Sequence, residues 1–93
     1  MIIGFLDKEA EKLLGRERSR RLPPDIQKIA RRKLEIINAA DSIQDLRNPP
    51  SNHLEKLKGD RKNAYSIRIN DQWRICFRWD GHDASEVEIV DYH

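Results

Sequence analysis

Two alternating segments in the C-terminal third of the chain constrain the fold most. Apolar residues occupy every second position in 65–69 and again in 73–79, and the residues between them are Ser66, Arg68, Arg74, Cys76 and Arg78. A period of two is typical of strands that bury one face of a sheet. The intervening Asn70-Asp71-Gln72 favours a turn, so the two segments are predicted to form an antiparallel hairpin. A second turn at 80–82 leads to a predicted last strand over 86–92.

The first half of the chain predicts helices. Residues 2–6 form a short apolar run that predicts a strand, and Asp7 follows at a position that suits a helix N-cap. Pro23-Pro24-Asp25 predicts the start of a second helix, which we expect to end near 39–41. Its predicted apolar stripe comprises Ile26, Ile29, Ala30, Leu34, Ile37 and Ala40, with Lys28, Arg31, Arg32 and Lys33 off the stripe.

The middle of the chain predicts a loop and a short strand. The breaker cluster Asn48-Pro49-Pro50 lies within a loop predicted over 42–53, and residues 54–58 follow as a short strand. The resulting order β–α–α–β–β–β–β predicts an α+β fold, with two N-terminal helices packed on one face of a small antiparallel sheet. Because the sequence contains neither repeats nor a linker, we expect residues 1–93 to form a single domain.

The charges are numerous and unevenly distributed. Charged residues make up 37% of the 93 residues, yet the net charge is only +2. Residues 16–33 carry eight basic and two acidic side chains, whereas residues 80–93 carry five acidic side chains and no Lys or Arg. A basic segment of this kind is attracted to polyanions such as RNA, although such clusters are more often solvated surface.

Several classes of protein are excluded by simple features. No apolar run is long enough to span a bilayer, and the first residues lack the pattern of a signal peptide. A single cysteine excludes an internal disulfide framework and fits a reducing compartment, so we expect a cytoplasmic protein. Nucleotide-binding glycine motifs and zinc-ligand spacings are lacking, and we expect neither a cofactor nor a metal ion.

The sheet is predicted to carry a cluster of cations on its open face. If the apolar side chains of the hairpin face the helices, the intervening arginines lie together on the opposite face. The predicted cluster comprises Arg68, Arg74, Arg78, Lys56 and Lys58, with Arg61 just beyond the following turn.

Such a cluster is suited to binding a phosphate. Like charges at short range repel one another unless an anion joins them, and guanidinium groups donate paired hydrogen bonds to phosphate. The alternative is a solvated face whose cations pair with Glu86, Glu88 or Asp91 of the last strand. The alternation alone favours neither of the two.

The C-terminal residues Asp91-Tyr92-His93 combine groups that are useful in acid–base chemistry. Histidine titrates near neutral pH and can transfer a proton, and tyrosine offers a ring for stacking and a hydroxyl for hydrogen bonding. A frayed chain end is the alternative interpretation. His53 and His82 flank loops without a second ligand at metal-binding spacing, so we interpret them as surface residues.

Taken together, these elements resemble a known family. The segments L-E-K-L-K-G-D-R (54–61), Y-S-I-R (65–68), N-D-Q-W-R-I-C-F (70–77) and D-Y-H (91–93) resemble the HigB branch of the RelE/ParE toxin superfamily. The resemblance implies a compact α+β fold like that of microbial ribonucleases, and a toxin of a bacterial type II toxin–antitoxin pair. It also implies entry into the ribosomal A site and cleavage of translated mRNA without a metal ion.

The resemblance assigns roles to individual residues. Arg74 would hold the scissile phosphate, Lys58 matches a basic site residue, and the catalytic terminus would comprise Asp91, Tyr92 and His93. Relatives have a histidine two residues before that lysine, where this chain has Lys56, so the general base stays open among Lys56, Lys58 and His53.

The expected reaction is in-line attack of a ribose 2′-hydroxyl on the adjacent phosphate, with a base, a cationic clamp and an acid. We expect His93 to be the acid, with Asp91 orienting it, and Arg74 with Arg68 to form the clamp. Either lysine could act as the base only if neighbouring cations depress its pKa, and would otherwise act electrostatically. Further RNA contacts are expected from Arg68, Arg78, Arg61 and Lys62.

The resemblance also implies partners. These are a HigA-like helix-turn-helix antitoxin, the ribosome with its mRNA, and operator DNA contacted through the antitoxin, with no membrane. Two rival functions stay open: a non-catalytic ParE-like inhibitor of a protein such as DNA gyrase, and a nucleic-acid-binding domain without toxicity. The terminal Asp-Tyr-His and the clustered cations favour the enzyme, because a protein–protein inhibitor does not need them.

Overall fold

The predicted α+β arrangement is confirmed by a computed structural model, in which residues 1–59 and 62–92 are described. Two helices, α1 (Lys8–Leu14) and α2 (Pro24–Ala39), precede a four-stranded antiparallel sheet whose strands lie side by side in chain order. The strands are β1 (Glu55–Lys56), β2 (Ala64–Arg68), β3 (Trp73–Asp80) and β4 (Asp83–Asp91).

Both helices begin where the sequence predicts. Asp7 caps α1, because its Oδ1 accepts a hydrogen bond of 2.8 Å from the amide of Glu9. Helix α2 begins with Pro24 in its first turn, where the missing amide hydrogen costs nothing, and Asp25 follows near the positive end of the helix dipole.

The predicted stripe of α2 is wrong at two positions. Ile29 is 39% exposed, whereas Lys33, which was expected on the solvent side, is only 8% exposed. The buried face instead includes Ile26, Ala30, Lys33 and Ile37. These residues are spaced by four, three and four, as expected for one side of an α-helix.

Residues 2–6 lie along the edge of β4 but do not form a strand. Two isolated parallel bridges join Ile2 to Ala84 and Phe5 to Val87. The amide of Ile3 donates to the carbonyl of Ala84 at 2.8 Å, so the segment covers part of the sheet edge. The prediction of a strand is therefore wrong in extent, although the segment does lie beside the sheet.

The hairpin of β2 and β3 forms as predicted. Asn70 Oδ1 accepts hydrogen bonds from the amides of Gln72 and Trp73, which closes the turn. The last strand begins at Asp83, three residues earlier than predicted, after a tight turn at Gly81 and His82.

A bulge interrupts the pairing of β3 with β4. Cys76 pairs with Glu88 but Arg78 pairs with Ser85, so β4 has one extra residue in this stretch. Glu86 lies within it and has a φ of 51°, in the left-handed region. The extra residue keeps Ala84, Val87 and Ile89 on the buried face of the sheet.

The core lies between the helices and one face of the sheet. Fully buried side chains come from the helices, the strands and the connection after α2: Leu13, Ile26, Leu34, Ile37, Leu46, Ile67, Ile75 and Val87. The other face of the sheet is therefore left to polar side chains and to the loop that precedes β1.

That loop, predicted over 42–53, contains two short 3-10 turns at Ile43–Arg47 and Pro50–Asn52. The strand predicted over 54–58 is reduced to the two residues Glu55 and Lys56. Across the described part of the chain, neither helix is long and apolar enough to cross a membrane.

Candidate active site

The register of the sheet determines which side chains share its open face. Arg68 of β2 pairs with Arg74 of β3, and Ser66 pairs with Cys76. Directly paired residues of antiparallel strands project to the same face. These four residues therefore form one polar surface on the side opposite the core residues Ile67 and Ile75.

Arg74 lies at the centre of this surface and is only 8% exposed. Its Nε donates to Ser66 Oγ at 2.9 Å, and its Nη2 donates to the carbonyl of His53 at 2.6 Å and to that of Ser66 at 3.4 Å. Neutral oxygens thus hold two nitrogens of the guanidinium. Its positive charge is not cancelled by a close carboxylate on that side.

The third nitrogen of Arg74 is less committed. Nη1 lies 3.9 Å from Glu55 Oε1, which is longer than a hydrogen bond. Within 1–59 and 62–92, Nη1 makes no hydrogen bond. The geometry therefore leaves a guanidinium edge beside a carboxylate that is 59% exposed, and this edge can donate to an anion.

A buried asparagine anchors the loop that supplies the His53 carbonyl. Asn52 is fully buried, and its Nδ2 donates to the carbonyls of Leu46 and Asn48, each at 3.1 Å. Its Oδ1 accepts a hydrogen bond of 2.5 Å from Lys33 Nζ. His53, which follows directly, has a φ of 45° in the left-handed region, where histidine occurs more often than most residues.

Tyr92 lies against the same guanidinium. The Arg74 guanidinium carbon is 5.9 Å from the centre of the Tyr92 ring, within the range of a cation–π contact. Burial raises the pKa of the Tyr92 hydroxyl, and Cys76 raises it further, while Arg74 opposes the shift. The hydroxyl consequently keeps its proton at neutral pH.

Glu55, rather than Lys56, shares the face of Arg74. Glu55 pairs with Ser66, whereas Lys56 pairs with Tyr65, whose partner on β3 is Phe77. Successive residues of a strand project to opposite faces, so Lys56 projects from the other side of the sheet. The expected convergence of Lys56 with the arginines is therefore wrong.

The three arginines do not form one cluster either. Arg68 lies opposite Arg74 and pairs with Asp71 of the hairpin turn. Arg78 lies four residues further along β3, and its Nε is 2.7 Å from Glu86 Oε2. For Arg78, the alternative of a cation paired with the last strand is the one observed.

Three of the remaining sequence-predicted residues, Lys58, Lys62 and Asp91, lie within the described part of the chain. Lys58 and Lys62 are exposed, and Asp91 Oδ2 accepts a hydrogen bond of 3.2 Å from Gln72 Nε2 at the end of β4. Arg61 and His93 lie outside the described residues.

Sequence reasoning missed Glu55, Ser66 and the Asn52–His53 turn. Ser66 had a usable signal, because it alternates with Tyr65 and Ile67 and therefore belongs to the face of Arg68. Glu55 and Lys56 are both charged, so alternation could not assign either of them to a face.

The described ranges lack the side-chain groupings that metal ions need. No group of three or more His, Cys, Asp or Glu side chains there could hold a metal ion. What the open face offers is a fixed guanidinium, a nearby carboxylate and a protonated phenol. Together these groups can bind an anion and accept a proton beside it.

Comparisons with known proteins identify the family. Residues 4–93 match the family described as RelE-like toxin of type II toxin-antitoxin system HigB. The chain is 42% identical over 80 residues to Toxin HigB-1 of Vibrio cholerae, an alignment that covers 85% of this chain and 84% of that protein.

Two further proteins are similar to this chain in sequence. Endoribonuclease HigB of Proteus vulgaris is 38% identical over 61 residues, covering 66% of this chain and 65% of the relative. An uncharacterized protein of Haemophilus influenzae is 37% identical over 69 residues, covering 74% of this chain and 68% of the relative. The chain belongs to the HigB-like family of RelE-like toxins of type II toxin–antitoxin systems, and such a toxin has a cognate antitoxin as its partner.

Proposed function

We propose that this toxin is an endoribonuclease that cleaves mRNA on the translating ribosome by attack of a ribose 2′-hydroxyl on the adjacent phosphate. The observation that carries the proposal is the guanidinium of Arg74, which Ser66 and His53 hold while Nη1 stays free of hydrogen bonds within 1–59 and 62–92. The name of the Proteus vulgaris relative, Endoribonuclease HigB, supports the same reaction class.

Glu55 is our candidate for the general base. Its carboxylate lies 3.9 Å from Arg74 Nη1, so a phosphate bound at that nitrogen would present its neighbouring ribose near the carboxylate. A carboxylate accepts a proton without the pKa depression that Lys56 or Lys58 would need. The exposed Lys58 then contributes positive potential, and His53 contributes through its main-chain carbonyl.

The reaction proceeds as a single displacement at phosphorus. Glu55 takes the proton of the 2′-hydroxyl, and the 2′-oxygen forms a bond to phosphorus while the bond to the 5′-oxygen breaks. Arg74 stabilises the charge that gathers on the non-bridging oxygens. An acid protonates the departing 5′-oxygen, and the products are a 2′,3′-cyclic phosphate and a 5′-hydroxyl.

The C-terminal residues supply the acid in this proposal. His93 follows Tyr92 directly in the chain. Histidine as a residue type can donate a proton near neutral pH, which suits the role of the acid. Asp91 orients the terminus through its contact with Gln72. Tyr92, whose ring lies over Arg74, donates its hydroxyl hydrogen to a phosphate oxygen or stacks on a base.

The partners follow from the same proposal. The cognate antitoxin carries a helix-turn-helix and brings the complex to operator DNA, and the toxin alone enters the ribosomal A site. Exposed cations such as Lys62 and the arginines of the basic segment 16–21 contact ribosomal RNA. Binding to the ribosome then weakens steeply as salt is raised, because each phosphate contact releases counterions.

The test is a reconstituted translation reaction with purified toxin and a defined mRNA. We expect cleavage within the translated region, 5′-hydroxyl ends on the downstream fragment, and little cleavage of free mRNA. The matched control is the chain without Tyr92 and His93, which keeps every strand and should leave the mRNA intact.

Other outcomes would contradict the proposal. Arrest of translation with intact mRNA would exclude the endonuclease, and inhibition of DNA supercoiling by gyrase would favour the ParE-like alternative. Equal cleavage of free and ribosome-bound mRNA would contradict the dependence on the ribosome.

A further inference from the structure

A groove beside the candidate active site is lined by three cations, and two of them, Arg32 and Lys33, have no acidic partner within the described residues. It lies between α2 and the turn of the β2–β3 hairpin and has a volume of about 540 Å³. This size is within the range of about 300–1,000 Å³ typical of ligand sites. Its polar wall includes Arg32, Lys33 and Arg68, and its apolar wall includes Ile29, Ile36 and Ile69.

Lys33 is the unusual member of this wall. Only 8% of Lys33 is exposed, and its Nζ donates a hydrogen bond to the neutral amide oxygen of Asn52. No carboxylate within 1–59 and 62–92 forms an ion pair with it. A buried ammonium without a counter-charge is costly, so the site gains free energy when an anion approaches.

Arg32 adds to this positive potential. Arg32 directly precedes Lys33 in α2. Burial lowers the pKa of Lys33, and the charge of Arg32 lowers it further. Arg32 is exposed and forms no ion pair with any residue of the described ranges. The groove thus has one exposed and one buried cation next to each other in α2.

The groove is continuous with the candidate active site. Arg68 lines the groove and is also the direct cross-strand partner of Arg74. Paired Cα atoms in antiparallel strands are about 5 Å apart. A strand of RNA that binds Arg74 and extends toward Arg68 therefore reaches the groove.

The apolar wall explains the exposed isoleucine of α2. Ile29 is 39% exposed although it was expected in the core, and Ile36 lies two helical turns further along the same side. An apolar surface beside cations matches the composition of a nucleotide, which has a flat base and ribose next to a phosphate.

We infer that this groove binds the nucleotide next to the scissile phosphate, with its phosphate at Arg32 and Lys33 and its base or ribose against Ile29 and Ile36. The inference rests on the proposed function and adds to it a second subsite for the same RNA strand. Of the RNA sources on a ribosome, the substrate strand is favoured because Arg68 connects the groove to Arg74.

The test measures affinity for a series of 2′-O-methyl oligoribonucleotides that lengthen by one nucleotide at a time and cannot be cleaved. Arg32→Gln is the test variant, because Arg32 is exposed and its replacement leaves the core unchanged. Lys28→Gln is the matched control: it removes the same charge from an exposed position one helical turn earlier, outside the groove.

We expect one added nucleotide to strengthen binding by the wild-type toxin about tenfold, as for a hydrogen-bonded charge contact. Arg32→Gln should remove most of this gain and lower the slope of log affinity against log salt by about 0.7, the value for one phosphate contact of a single strand. Lys28→Gln should keep the gain. Lys33→Met is a second variant that should abolish it as well.

Three results would overturn the inference. The first is an equal gain in the wild type and Arg32→Gln, and the second is no oligonucleotide binding by the wild type. The third is a loss confined to ribosome binding, which would assign the groove to ribosomal RNA. In each case, cleavage of ribosome-bound mRNA by the wild type would leave the proposed function standing, whereas intact mRNA would contradict the proposed function itself.

Discussion

Arg74 and Arg78 lie on the same strand, β3, but their guanidinium groups have different partners. Arg74 is buried and held by neutral oxygens of Ser66 and His53, with a carboxylate only at 3.9 Å. Arg78, four residues later, is exposed and pairs with Glu86 at 2.7 Å. The positive charge of Arg74 therefore remains able to attract an anionic ligand, whereas the charge of Arg78 is neutralised by an ion pair within the fold.

The contrast has a structural cause on each side. The Asn52–His53 turn brings a main-chain carbonyl over β2 and β3 at the position of Arg74. The bulge in β4 instead places Glu86 near Arg78 with a left-handed backbone. A cation bound by dipoles stays attractive to a phosphate, and a cation bound by a carboxylate is largely neutralised.

The largest expected difference comes from exchanging each arginine for lysine. Arg74→Lys should lower mRNA cleavage by about 100- to 1,000-fold, since lysine lacks the planar fork that contacts Ser66, His53 and the phosphate together. Arg78→Lys should change it by less than about fivefold, as for an exposed ion pair. Cleavage on translating ribosomes is the measurement, and comparable losses in the two variants would remove the contrast.

The carboxylates beside these arginines, Glu55 and Glu86, should also differ in how much they contribute to mRNA cleavage. Glu55→Gln removes the proposed base and should lower the cleavage rate by about 100-fold, near the lower end of general base catalysis. Glu86→Gln makes the same chemical change beside Arg78 and should leave the rate nearly unchanged. A full rate in Glu55→Gln, with Lys56→Gln or Lys58→Gln inactive, would return the role of base to a lysine.

The anchor of the His53 carbonyl is tested by Asn52→Ala. This change leaves the carbonyls of Leu46 and Asn48 and the buried Lys33 without their partner, which should cost about 2 kcal/mol of unfolding free energy. Asn38→Ala is the control, because Asn38 is exposed and accepts one hydrogen bond from the amide of Ile2. Urea denaturation compares them, and equal losses would show that burial of Asn52 contributes little.

The smallest effect concerns the tyrosine that covers Arg74. Burial, followed by Cys76, raises the pKa of Tyr92 above its ordinary value of 10.0. Between the ordinary and the raised pKa, the folded protein keeps a proton that the unfolded chain has lost. The free energy of unfolding should therefore fall as the pH rises through this window.

The matching measurement is an ultraviolet titration of tyrosinate. Cys76→Ala should lower the pKa of Tyr92 while leaving the fold intact, because a small residue replaces a small residue. An unchanged titration curve would mean that Cys76 does not act on Tyr92.

Much of the fold was predictable because local signals agreed with the tertiary contacts. The alternation in 65–79 specified the hairpin and its faces, and Asp7 with Pro23-Pro24 specified both helix starts. Arg74 was also predictable as a residue of the open face. The motif order that resembles the HigB branch agrees with the family match over residues 4–93.

The rest depended on contacts between distant segments. Lys33 follows Ala30 by three residues and precedes Ile37 by four, so the helical spacing predicts that it lies on the buried face. Its charge, however, argues against burial. The burial of Asn52 depends on a hydrogen bond to a residue 19 positions away. Pairing with β2 sets the register of the two-residue strand β1 and thereby determines that Glu55, and not Lys56, lies on the face of Arg74. The sequence of β1 could not show this, because both of its residues are charged.

Guanidinium NMR of the toxin, titrated with an uncleavable 2′-O-methyl oligoribonucleotide, distinguishes the two arginines, with their signals assigned through Arg74→Lys and Arg78→Lys. We expect the Arg74 Nη signals to shift on binding, whereas the Arg78 signals should not move because the ion pair with Glu86 persists. Shifts at Arg78 with unchanged Arg74 signals would show that Arg74 does not bind the phosphate.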